Sequence, residues 1–189
     1  MITYALRCGS VSSGNDHRGR ACCPSSSADP QVERGKYLVE LGGCSDCHTP
    51  GHFFGHPDVT KYLGGSDVGF AIPGLGVFVG PNLTPDKETG LGAWTAQQIV
   101  IAITTGARPD GRILAPIMPW QGFSHLTNSD ALAIAAFLKS LPPLSNKVPG
   151  PFGASEKPTV AVMSIQPGDV YANLPSRSNL PRVMARQAK

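Results

Sequence analysis

Long apolar runs are missing from this 189-residue chain. The longest reaches from Ala131 to Leu138, where a membrane-spanning helix needs about 20 residues. The first thirty positions offer only Tyr4-Ala5-Leu6 as a hydrophobic stretch, too little for the apolar centre of an export signal. Charge is sparse as well: 15% of residues are Asp, Glu, Lys or Arg, against roughly 25% in an average soluble domain. That excludes a coiled coil and a charge-rich disordered chain. The net charge of +3 comes without a basic stripe, so nucleic acid is not an expected partner. The five cysteines, Cys8, Cys22, Cys23, Cys44 and Cys47, are odd in number and unevenly placed, a poor disulfide framework.

Gly and Pro are plentiful, at 22 and 18 residues, so loops are expected to be long. Three regions differ in composition. Residues 1–28 are polar, rich in Ser, Arg and Cys, and lack a hydrophobic period, which reads as disorder or as an N-terminal segment foreign to the fold. Residues 29–142 carry the periodic patterns and form the expected domain. Residues 143–189 are punctuated by Pro149, Pro151, Pro158, Pro167, Pro175 and Pro181. Proline at that density excludes a long helix and predicts an extended tail, with a short strand over residues 159–165.

Within the domain, Asp29-Pro30 starts a helix as N-cap and first helical residue. Val32, Tyr37, Leu38 and Leu41 form its apolar face, and Gly42-Gly43 stops it. Thr95 with Gln98 is a capping box for a second helix that closes at Gly106. Thr127, with Asp130 at the reciprocal position, opens a third that Pro142-Pro143 ends. Between them, Val68 to Ile72 and Val77 to Val79 flank Pro73-Gly74 and predict a small β-hairpin.

The chemistry sits where the first helix ends. Cys44-Ser45-Asp46-Cys47-His48 is a C-x-x-C-H run, the attachment signature of haem c. Two sulfurs with two residues between them can add to the two vinyl groups on one edge of the porphyrin, and the adjacent His48 reaches the iron from one face. The sixth position then decides the type of protein. Of the four methionines, Met118 is the candidate distal ligand, because Pro119 and the preceding proline-bounded loop hold it in one conformation. A Met that merely fills a core gap is the alternative. Two rivals to haem compete for the cysteines. A thioredoxin-type pair expects a βαβ context, which the pattern does not offer. A zinc site from Cys44, Cys47, His52 and His56 has suitable ligand types, but its central gap is short and it leaves His48 without a role. His52 and His56 otherwise read as solvated loop residues.

These motifs in order resemble the class I cytochromes c, over about residues 30–142. Gly80-Pro81-Asn82-Leu83 is similar to the segment whose proline carbonyl, in that family, accepts the bond from the proximal histidine ring. The resemblance therefore implies that Pro81 orients His48. It also implies a crossing of the first and last helices at a glycine–aromatic contact, for which Gly35 and Phe137 are the candidates. Asn82 to Trp94, Thr105 to Gly111, and Met118-Pro119-Trp120 are similar to the cytochrome subunits of bacterial membrane-bound alcohol and sugar-acid dehydrogenases. Those often carry three haems, whereas this chain has one C-x-x-C-H. Trp94 and Trp120 are candidates to line the haem, Trp94 through its indole N–H to a propionate, with ordinary core aromatics as the equal alternative. Arg108 and Arg112 are candidates to neutralise the propionates, with solvated surface charge as the main reading.

The resemblance implies an all-α class I cytochrome c fold, three to five helices around one haem, with a β-hairpin insertion and extended tails. The expected function is that of a mono-haem electron carrier. Its one haem c would be joined through Cys44 and Cys47 and ligated by His48 and Met118, without bond chemistry of its own. The expected partners are a donor dehydrogenase and an acceptor oxidase or cytochrome, with membrane association only through a partner. The alternative is a haem subunit held permanently in an alcohol or sugar dehydrogenase complex, and behind it a haem sensor or catalyst with an open sixth site. Haem attachment to such motifs takes place outside the bacterial cytoplasm, so a periplasmic location is expected.

Overall fold

The computed structural model describes residues 29–172. The expectations for residues 1–28, including Cys8, Cys22 and Cys23, and for the end of the tail lie outside the described residues.

Helix α1 spans Pro30–Leu41, with the Asp29 carboxylate accepting from the backbone N–H of Gln31 at 2.9 Å. A short helix α2, Cys44–His48, follows at once. Two single turns of 3₁₀ helix, His52–Phe54 and Val59–Lys61, lead to strand β1, Val68–Ile72, and strand β2, Gly76–Val79. These pair antiparallel as the expected hairpin, with Phe70 opposite Phe78. Helix α3, Ala96–Thr105, carries both halves of the Thr95–Gln98 capping box and ends at Gly106 in the left-handed conformation. Helix α4, Trp120–Phe123, is one turn, and α5, Asn128–Ser140, is the longest. Thr127 caps α5 through the N–H of Asp130, but the Asp130 carboxylate does not complete a box. It accepts from Arg34 Nε on α1 at 2.8 Å.

The core is the crossing of α1 and α5 with α3 against them. Val39, Leu63 and Ile99 are buried to 1% or less, and Ile134, Phe137 and Leu138 join them. Burying each of these large side chains contributes roughly 1.5–3 kcal/mol. The crossing is as close as the resemblance implied. A Cβ on Gly35 would run into the carbonyl oxygen of Ala133 and lie 2.8 Å from Phe137 Cβ.

The expected helical domain with a β-hairpin is present, and so is the short strand expected over residues 159–165 of the extended tail; what the expectation lacked is the pairing of that strand with the hairpin. Strand β3, Ala161–Ser164, adds to the hairpin parallel to β1, with Gly69 opposite Val162, giving a three-stranded sheet in the order β2-β1-β3. Phe152 also bridges to Val77. The described part of the Pro-rich chain after residue 142 is thus packed back onto the hairpin, and α6, Gly168–Ala172, ends it. Among the described residues, no helix is long and apolar enough to cross a membrane.

Candidate functional site

Gly43, at φ +62°, turns the chain from α1 into α2 and so brings Cys44, Cys47 and His48 onto one short helix. His48 is only 7% exposed. Its Nδ1 lies 2.7 Å from the carbonyl oxygen of Pro81. A carbonyl can only accept, so Nδ1 carries the proton and Nε2 keeps its lone pair. Burial lowers the pKa of His48, against the opposing effect of the Pro81 carbonyl, which favours the neutral imidazole that binds metals. The Gly80-Pro81 loop can approach this closely because Gly80 has no side chain. A Cβ there would collide with the carbonyl oxygen of Cys47 and sit 3.4 Å from His48 Nδ1.

Neither cysteine is in a disulfide. Burial pushes the Cys44 thiol up to about 11, with the neighbouring Cys47 and Asp46 adding to the rise. Burial and Asp46 raise Cys47 too. Burial thus raises both thiols, opposite to the depressed thiols of a redox pair. His52 Nδ1 lies 3.5 Å from Asp46 Oδ1. Among the described residues, no three His, Cys, Asp or Glu side chains are grouped to hold a metal ion, so Cys44, Cys47, His52 and His56 do not assemble the alternative zinc site.

Cys44, Cys47, His48, Pro81, Trp94 and Met118 all line one cavity of about 590 Å³, within the usual size range of cofactor sites. Leu83, Ile99 and Leu138 make much of the remaining wall apolar. The Met118 loop is drawn tight by two backbone bonds, Met118 N–H to the carbonyl of Ala115 at 2.9 Å and Trp120 N–H to the carbonyl of Met118 at 2.8 Å. Trp120 itself is not among the lining residues. Its indole packs where a Cβ of Gly106 would be, and its buried Nε1 has no partner.

Arg108 and Arg112, read from sequence mainly as surface charge, both line the cavity. Asp110 holds both guanidiniums, Arg108 Nη2 at 3.1 Å and Arg112 Nη2 at 2.8 Å. Those bonds keep the Asp110 carboxyl well below the usual carboxylate range. Arg108 lies 5.3 Å over the Trp94 ring. Sequence reasoning also missed Val148, Pro149, Gly150 and Pro151, which form part of the wall. The only signal for them was the apolar character of a stretch that proline had marked as extended.

The Cytochrome c family model matches residues 32–142. The cytochrome c subunit of the quinone alcohol dehydrogenase of Gluconobacter oxydans is 36% identical over 121 residues, 62% of this chain and 23% of that subunit. The fructose dehydrogenase cytochrome subunit of Gluconobacter japonicus is 31% identical over 147 residues, 75% of this chain and 28% of its own length. A dihaem c-type cytochrome of Cereibacter sphaeroides is 30% identical over 113 residues, 60% of this chain and 37% of the relative. The chain spans about a quarter of the length of the two dehydrogenase subunits. With more than half of its length matched by the family model, the chain belongs to the cytochrome c family.

Proposed function

We propose that the chain is a class I, mono-haem cytochrome that passes single electrons between a dehydrogenase and a respiratory acceptor on the periplasmic side of the membrane. The observation that carries this reading is the joint placement of Cys44, Cys47, His48 and Met118 on one cavity. The donor set fits a haem: two sulfurs for its edge, a ring nitrogen left free by Pro81, and a thioether sulfur. The group, once bound, supplies a one-electron change at iron.

The chain's residues do the rest. Cys44 and Cys47 hold the ring covalently, so it cannot be lost. His48 is fixed in tautomer and direction by Pro81, which also strengthens it as a donor. Met118 would hold the iron through its thioether sulfur and so keep small ligands from it. Trp94, Arg108 and Arg112 line the same cavity and would supply a donor and positive charge to a carboxylate of the ring. Trp120 backs the Met118 loop, its indole against Gly106, and is not among the residues that line the cavity.

The domain in this reading is residues 29–142, with the tail added to it. Permanent association with a dehydrogenase is the second reading, favoured by the names of the relatives. Expression with haem-attachment machinery and export decides the first point. One haem per chain that survives acid-acetone extraction is expected, and a colourless protein overturns the proposal. Co-purification of a dehydrogenase at stoichiometric yield decides for the subunit, and its absence for the free carrier.

A further inference from the structure

The family match ends at residue 142, yet the cavity does not. Residues 144–148 alternate between half-buried and exposed, as an extended segment does when one face is packed. The packed face is tied to the loops around His48. Leu144 donates its N–H to Thr84 Oγ1 at 3.1 Å, and its carbonyl accepts from Asn82 Nδ2 at 2.7 Å. The N–H of Asn146 donates to Thr89 Oγ1 at 3.0 Å, and its Nδ2 to the carbonyl of Gly64 at 2.7 Å. A Cβ on Gly64 would collide with Leu144 Cδ2, and one on Gly65 with Val148 Cγ2. Two adjacent glycines thus form the seat for the alternate side chains 144 and 148. The seat is itself joined to the proximal histidine, because Gly65 N–H donates to the carbonyl of His48 at 2.8 Å. Farther on, Phe152 exchanges two backbone bonds with Val77, each 2.9 Å. Between these anchored ends, Val148 to Pro151 face the cavity.

We propose that residues 144–152 form a wall of the haem site, latched by Asn146 and seated on Gly64-Gly65, that keeps water from the ring. This rests on the reading of the cavity as a haem site. The chemistry of the wall suits water exclusion. Val148, Pro149 and Pro151 present apolar atoms, and the two prolines bring no N–H that would need a partner. Excluding water favours the iron state of lower charge, since the apolar shell around a metal sets its dielectric and so its potential.

The test uses the full haem-bearing chain and the variants Asn146→Ala and Val148→Ser, with the exposed Lys157→Ala as control. Haem content, midpoint potential and the rate of protease cutting within residues 143–152 are measured for each. Asn146→Ala removes a single hydrogen bond from the latch, so opening and cutting are expected to be about fivefold more frequent. Both Asn146→Ala and Val148→Ser are expected to keep full haem content and shift the midpoint potential downward, while Lys157→Ala shifts neither. Val148→Ser leaves every latch bond in place and decides the matter if Asn146→Ala does not fold. Haem-loaded variants with the wild-type potential would overturn the wall and leave the haem reading intact. A wild-type chain without covalent haem would overturn the haem reading itself, and the wall with it.

Discussion

The imidazole of His48 donates through Nδ1 to the carbonyl oxygen of Pro81 across 2.7 Å, although 33 residues separate the two. The bond exists because Gly80 lets the loop rest against the carbonyl of Cys47. Gly80→Ala puts a methyl group into that backbone oxygen, which cannot turn aside as a flexible side chain would. The expected cost is about 2 kcal/mol of folding stability, from overpacking and the weakened His48 bond together. Denaturant titration of the holoprotein checks it. A variant as stable as wild type would show that the close approach of this loop is not required.

Met118 reaches the cavity from a loop held by its own backbone bonds, so truncating its side chain should leave the loop in place. Met118→Ala is expected to lose the weak long-wavelength absorption of a sulfur–ferric bond and to bind CO in the reduced state. Wild-type protein should resist CO. A wild type that lacks the absorption, or takes up CO at once, would remove Met118 as a ligand and favour an open sixth site.

Arg34 on α1 and Asp130 on α5 join the two helices of the core crossing. The Arg34 hydrogen bond holds the Asp130 carboxyl below its ordinary value of 3.8. A depressed carboxyl stabilises the folded chain above the unfolded pKa and loses that contribution as pH falls through the folded one. Wild type is therefore expected to be more stable than Asp130→Asn at pH 6, with the gap closing below pH ~4. Both groups reach solvent, so the gap should be small and should shrink further in salt. An unchanged gap down to pH ~2 would contradict the assignment.

Much of this was legible in local sequence signals. Asp29, Thr95 with Gln98, Gly106 and Thr127 act within a few residues, and each marks the helix end it was expected to mark. The hairpin followed from apolar runs around Pro73-Gly74. Cys44, Cys47 and His48 are adjacent in sequence, so their grouping needed no fold. The misses depend on distant partners. The strand over residues 159–165 was expected, but β3 is exposed along its length, so no pattern in it announces that it pairs with β1. Asp130 was expected to cap its own helix, and a guanidinium 96 residues away takes its carboxylate instead. Arg108 and Arg112 turn to the cavity wall because Asp110, between them, holds both. Residues 148–151 reach the wall through bonds made by Leu144, Asn146 and Phe152, which a proline-rich composition does not reveal.

The central claim is that Cys44 and Cys47 carry one haem and His48 ligates it. The most direct measurement is the pyridine haemochrome spectrum of the purified chain, exported with haem-attachment machinery present, combined with its intact mass. The account predicts the spectrum of a haem with both vinyl groups saturated and a mass of chain plus one haem, both lost together in Cys44→Ser/Cys47→Ser. A protein whose mass is that of the bare chain, or whose colour leaves with acid-acetone, would contradict it.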